Sequence, residues 1–142
     1  WKGRPGGVEE ADTPMNLEGA AESDEALFKF KIVNAIVDGR VEEALEQLSS
    51  KYRVPKPRVR VGRVKGRSRS LGCYDPTRRI IYAASSSQLR DPRVILHEFY
   101  HHIRCSLERD GRGAEKYADK FAEDFIHSYL KVMGGSSREE IG

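Results

Sequence analysis

Apolar residues recur at Leu27, Phe28, Ile32, Val33, Ile36 and Val37, then at Val41, Ala44, Leu45, Leu48 and Tyr52, in steps that keep them on one side of a helix. Ser23 stands ahead of this run as an N-cap, Gly39 divides it, and Pro55 and Pro57 end it, which predicts two consecutive helices. The period then shortens. Val59 and Val61 alternate with Arg58 and Arg60, and Gly62 shifts the parity so that Val64 rejoins the apolar side, predicting a strand over 59–65 with a bulge at Gly62. Leu71 to Tyr74 and Arg79 to Ala84 read as further strands about an Asp75-Pro76-Thr77 turn. Asp91-Pro92 pairs an N-cap with proline at the first helical position, opening a helix whose apolar stripe is Leu96, Phe99, Ile103 and Leu107. A turn at 110–113 separates it from a last helix, Ala114 to Val132. Residues 1–22 carry little periodic apolar content and read as a flexible leader, with one domain of α+β class over 23–142.

Composition changes little in this picture. A chain of 142 residues, 38% hydrophobic and 33% charged, suits one globular domain. No apolar run reaches the roughly 18 residues of a membrane span, and Trp1 to Gly7 lacks a signal-peptide core, so a soluble, cytoplasmic protein without membrane contact is expected. Cys73 and Cys105 are too few for a disulfide framework and are expected to pack as free thiols, a single bridge being the alternative. No Gly-rich phosphate loop or Ser/His/Asp grouping stands out.

Charge is more informative than the net +3 suggests. Between Lys51 and Arg79 there are 11 Lys or Arg against Asp75 alone, while the rest of the chain is 7 negative. A two-stranded ribbon with Arg60, Arg63 and Lys65 outward, followed by Arg67 and Arg69, would suit phosphates of a nucleic acid or an acidic protein. The plainer reading is a solvated basic face that guards a sheet edge.

The chemistry lies in His97-Glu98-Phe99-Tyr100-His101, an H-E-x-x-H pattern with about a 1% chance of arising by shuffling this composition. Positions four apart return to one helical face, so His97 and His101 can share a zinc ion, and Glu98 lies beside it as a base toward water. A third ligand is expected on the last helix. There, Glu115 and Asp119 fall in the same arc as Ala122 and Ile126, with Lys116, Lys120, Glu123 and Asp124 opposite. Carboxylates in an apolar arc need partners. Antiparallel pairing of the two helices brings Glu115 to His101, completing a His-His-Glu set, and Asp119 to His97, whose outer nitrogen it can orient.

The stretch from Glu115 to Ala122 matches E-x-x-A-[DN]-x-F-A, and together with H-E-x-x-H it resembles the gluzincin metallopeptidases, especially the compact ImmA/IrrE type, over about Gly72 to Ile126. The resemblance implies a zincin-like fold, zinc on His97, His101 and Glu115, Glu98 as catalytic base, and a peptide or protein substrate. It also implies that an edge strand before the motif helix aligns the substrate, a role that falls on Ile80, Ile81, Tyr82 and Ala83. Two features depart from the family: the fourth motif position is Tyr100 where a small residue is common, and the His101 to Glu115 spacing is short. The rival class is a non-enzymatic binding module that uses the basic segment, its metal structural or absent. Tyr100 and His102 are candidate substrate contacts, and Tyr100, Tyr117 and His102 are candidate transition-state donors. For His102 a core-edge or exposed place is the plainer reading, for Cys105 core packing, and for His127 solvent.

Overall fold

The computed structural model describes residues 14–62, 71–107 and 114–141, with side chains over 24–62, 71–107 and 114–134. Its elements run α1 (Pro14–Val37), α2 (Val41–Tyr52), β1 (Arg58–Val61), β2 (Gly72–Asp75), β3 (Ile80–Ala83), a 3-10 turn (Ser86–Arg90), α3 (Pro92–Ser106) and α4 (Ala114–Ile141). The class is α+β, as expected. Among the described residues no helix is long and apolar enough to cross a membrane.

The break between α1 and α2 has a specific cause. Gly39 sits at φ +86°, its N–H bonds Ile36 O at 3.1 Å, and Arg40 N bonds Ala35 O at 2.7 Å. These are the two bonds of a Schellman cap, with glycine in the left-handed position a side chain resists. At the other end, α1 starts at Pro14 rather than after Ser23. Pro14 suits the first helical turn, and Glu18, Ala20, Ala21 and Glu22 are good helix formers, so local propensity extends the helix where no apolar period announces it. Residues 1–13 of the expected leader lie outside the described residues. α4 likewise continues past Val132 to Ile141, since hydrogen bonding propagates through polar residues once a helix is nucleated. The 110–113 turn lies outside the described residues.

The sheet departs from expectation in its order, β1-β3-β2, with β1 parallel and β2 antiparallel to β3. β3 is therefore central and not an edge. Its Ile80, Ile81 and Ala83 are buried, as an interior strand with a covered face requires. The basic strand β1 does not form a ribbon with its successor β2, because β3 pairs between them. β1 ends at Val61; Gly62 N still bonds Ala83 O at 2.8 Å, and residues 63–65 lie outside the described residues. Val59 packs partly on the core, whereas Val61 is exposed.

One apolar cluster holds these elements together. Ile32, Val33 and Ile36 of α1, Ala44, Leu45 and Leu48 of α2, Ile81 of β3, Ile95, Leu96 and Phe99 of α3, and Ala122 and Phe125 of α4 all belong to it. Each fully buried large side chain contributes about 1.5–3 kcal/mol relative to exposure. The α3 stripe is rotated from the one expected. Leu96 and Phe99 are fully buried and Ile103 half-buried, but Leu107 is 45% exposed, and Ile95 and His102 take the inner positions instead.

β2 lies close against α3 because Gly72 has no side chain. A Cβ there would stand 2.6 Å from Val94 Cγ1, 3.3 Å from Tyr82 O and 3.4 Å from Glu98 Cγ. Val94 is β-branched and cannot swing aside cheaply. We expect Gly72→Ala to lower unfolding free energy by about 1–3 kcal/mol in urea denaturation. Gly134→Ala, in α4 with nothing within 4 Å of the added methyl, should instead raise it by about 0.5–1 kcal/mol.

Candidate metal centre

α3 begins as the sequence predicts. Asp91 Oδ1 accepts from Arg93 N at 3.0 Å and Pro92 occupies the first turn. With Ile95, Leu96, Phe99 and His102 turned inward, His97 and His101 reach the rim of the core, their side chains about one-fifth exposed. α4 buries Ala118, Ala122 and Phe125, which sets Glu115 and Asp119 on the border of its inner face. Both carboxylates are well exposed, at 78% and 61%. The premise that they are buried is thus corrected. A helical arc about 100° wide shades gradually into solvent, and these residues occupy its edge.

The register between the helices is nevertheless the expected one, with one addition. Asp119 Oδ1 lies 2.8 Å from His97 Nδ1, and Glu115 Oε2 lies 2.9 Å from His101 Nε2. Glu115 also reaches His97, its Oε1 3.0 Å from Nε2. The two Nε2 atoms are 3.2 Å apart. Because Asp119 only accepts, His97 carries its proton on Nδ1 and, when neutral, presents a lone pair at Nε2. When both rings present Nε2 as a lone pair, electron-rich atoms from three side chains converge on one point.

A cation placed among these atoms would relieve that crowding. His97, His101 and Glu115 each offer one ligand atom, and these atoms all lie within 4.8 Å of one another, a group that could hold a metal ion. Tetrahedral zinc with arms of about 2.05 Å spaces its ligands about 3.3 Å apart, close to the separations seen here. The His-His-carboxylate donor set is one zinc accepts. Burial holds His101 below the usual histidine pKa, toward the neutral form a metal requires, while the Glu115 charge opposes the shift.

Beside these atoms lies a cavity of about 540 Å³, bounded by Leu71, Gly72, Cys73, Tyr74 and Pro76 on one side, by Arg93, Val94, His97, Glu98, His101 and Cys105 of α3, and by Glu115. Glu98 is 8% exposed and faces into this space. The strand bordering it is β2. Ile80, Ile81, Tyr82 and Ala83, expected to align a substrate, are absent from its lining, because the central β3 is covered by β2.

Tyr100 and His102 are also displaced from the roles considered for them. Tyr100 packs its ring 5.4 Å from that of Phe121, receives a bond from Arg104 Nη1 at 3.0 Å, and does not line the cavity. His102 is fully buried. Its Nε2 lies 2.6 Å from Pro55 O, which can only accept, so the ring proton is on Nε2; Nδ1 then accepts from Tyr74 O–H, also at 2.6 Å. Burial lowers the pKa of His102, which agrees with a neutral ring, although the bond to Pro55 works the other way. This imidazole pins α3 to β2 and to the chain entering β1. Tyr117 is half-exposed and lies outside the lining.

Tyr74 is the tyrosine that borders the cavity, its hydroxyl pKa pushed up to about 12 mainly by burial. Its place depends on β2 meeting α3, for which the sequence carries no local signal. Cys105 is exposed and lines the cavity, contrary to core packing, whereas Cys73 is buried; neither forms a disulfide. Arg93, His97, His101 and Cys105 form a stripe at steps of four, so helical spacing alone could have found Arg93 and placed Cys105 on the cavity. His127 is exposed, as expected. Arg60 is exposed on β1, and Arg63, Lys65, Arg67 and Arg69 lie outside the described residues. Compared with family models, curated proteins and solved structures, the chain gives no match.

The buried bridge through His102 yields a stability test. His102→Ala removes a packed ring and leaves Pro55 O and Tyr74 Oη without their partner, so unfolding free energy should fall by about 2–4 kcal/mol. Tyr74→Phe, which removes one bond and keeps the ring, should cost about 1 kcal/mol in the same urea titration.

Proposed function

We propose that this chain is a zinc-dependent peptidase with a zincin-like site of the compact gluzincin, ImmA/IrrE kind. The observation that carries the proposal is the Glu115 carboxylate set 2.9–3.0 Å from the Nε2 atoms of both motif histidines, with Asp119 behind His97. Glu98, the motif carboxylate, opens onto the cavity beside them.

His97, His101 and Glu115 would hold the ion. Zinc there supplies Lewis acidity, polarising a carbonyl and making water a better nucleophile near neutral pH. Asp119 keeps His97 in the tautomer that exposes Nε2 and stops the ring from turning. Glu98 takes a proton from the water as its oxygen attacks the peptide carbonyl carbon. As the C–N bond breaks, Glu98 passes that proton to the departing amine and regains its charge. An extended peptide would lie beside β2, the strand that borders the cavity, with a main-chain ladder fixing its register. Substrate alignment thus falls to Gly72–Asp75.

The test separates ligands from base. Protein purified without chelators should hold one zinc per chain by elemental analysis, and His97→Ala or Glu115→Ala should lose it. Asp119→Asn should weaken zinc binding about 10–100-fold. Glu98→Gln should keep the metal but lose about 10²–10⁴-fold in peptide cleavage, followed by mass spectrometry on a peptide mixture. A folded wild-type chain that binds no zinc under these conditions would overturn the proposal.

A further inference from the structure

We infer that Arg93 forms an anion-recognition subsite in the cavity, so that the preferred peptides carry a carboxylate within about two residues of the bond to be cleaved. This deepens the peptidase reading and rests on it. Among the described residues, Arg93 is the cavity's only Lys or Arg. It lies one helical turn before His97 on the same stripe, which is about 6 Å along the axis. An extended peptide advances about 3.4 Å per residue, so a group over Arg93 is about two residues from one over His97, and the reach of the arginine side chain shortens that interval.

Two electrostatic features keep this guanidinium receptive. Its ion pair with Glu123 is long, at 3.5 Å, and both side chains are more than half exposed, at 56% and 61%. Such a pair is weak and exchanges readily with a better-placed carboxylate, whereas a bidentate pair inside a cleft has the geometry arginine favours. Arg93 also belongs to the first turn of α3, a turn without acidic residues, where the helix dipole favours negative charge. Opposing acids are accounted for. Asp91 is engaged as the N-cap, Glu115 belongs to the metal ligands, and Glu98 lies a turn further along α3. A substrate carboxylate at Arg93 displaces Glu123 and leaves Glu98 to its own task.

Binding and cleavage are measured separately. Fluorescein-labelled peptides with amidated C-termini, differing only in Glu against Gln two residues to either side of a neutral centre, are titrated by anisotropy against Glu98→Gln protein. A third peptide, neutral inside but with a free terminal carboxylate, distinguishes a terminal from a side-chain source. We expect a carboxylate-bearing peptide to bind about tenfold more tightly than its neutral counterpart, and Arg93→Gln in that background to abolish the difference. Glu123→Gln, which removes the internal competitor, should strengthen binding of the acidic peptide and leave the neutral one unchanged. Equal binding of acidic and neutral peptides, absence of binding by all, or a preference that survives Arg93→Gln overturns the inference. If wild-type protein cleaves none of the peptides while the Arg93-dependent preference persists, the peptidase reading fails and the anion subsite stands. Cleavage with no acidic preference gives the reverse.

Discussion

The site depends on the antiparallel register of α3 and α4, which brings three electron-rich side chains to one point. His97, His101 and Glu115 meet at separations of 2.9–3.2 Å, and the Asp119 contact fixes the His97 proton on the far side of the ring. With neutral imidazoles presenting lone pairs, acceptors at these distances repel one another, although Glu115 stays open to solvent. Apolar packing below the site holds them in place. Ala118, Ala122 and Phe125 of α4 are buried, as are Ile95, Leu96 and Phe99 of α3, and their burial sets a spacing that the carboxylates and imidazoles must accept. A cation at this point would turn the same spacing into a chelate.

The remaining elements place a wall beside this point. Gly72 lets β2 approach α3 to within a distance that even one methyl would block. His102 then ties the helix to Tyr74 of β2 and to Pro55. Those bonds lie in the core, where a satisfied pair gains from low dielectric and an unsatisfied partner is expensive. The three residues that could hold a metal ion sit at the rim, where Glu115 remains mostly exposed. Rigid support and accessible chemistry are thus separated by a rotation of about 100° around α3, from His101 to His102.

Much of this was legible in the sequence, and for identifiable reasons. The helices from Val41 onward, the Asp91 cap and the His-His-Glu grouping follow from spacing, capping and helical geometry, all of which are local or link two adjacent helices. The pairing of Asp119 with His97 was anticipated although its premise was inexact, because the border of a helical face suffices to bring two side chains together. Sheet order was not legible. β1 and β3 pair in parallel across some twenty residues of intervening chain, and nothing in either strand encodes which neighbour lies between. From that single non-local fact it follows that β2 with Tyr74, and not Ile80 to Ala83, borders the cavity. The start of α1 escaped for the opposite reason, since propensity rather than an apolar period carries residues 14–22.

The run from His97 to His102 shows how much chemistry depends on a single angular step. Six successive residues, five steps of about 100°, pass about 1.4 times around the helix. His97, Glu98 and His101 line the cavity, Phe99 and His102 enter the core, and Tyr100 packs its ring on Phe121 of α4. His101 and His102 are chemically identical and adjacent, yet one belongs to the group that could hold a metal ion while the other spends both nitrogens on structural bonds. Composition cannot distinguish them. Their roles are assigned by what faces each sector, namely Glu115 for His101 and Tyr74 with the Pro55 carbonyl for His102. An inserted or deleted residue in this run would therefore exchange the two environments, placing a ligand in the core and a buried anchor at the rim. The motif has meaning in this protein only together with the strand and helix packed on either side of it.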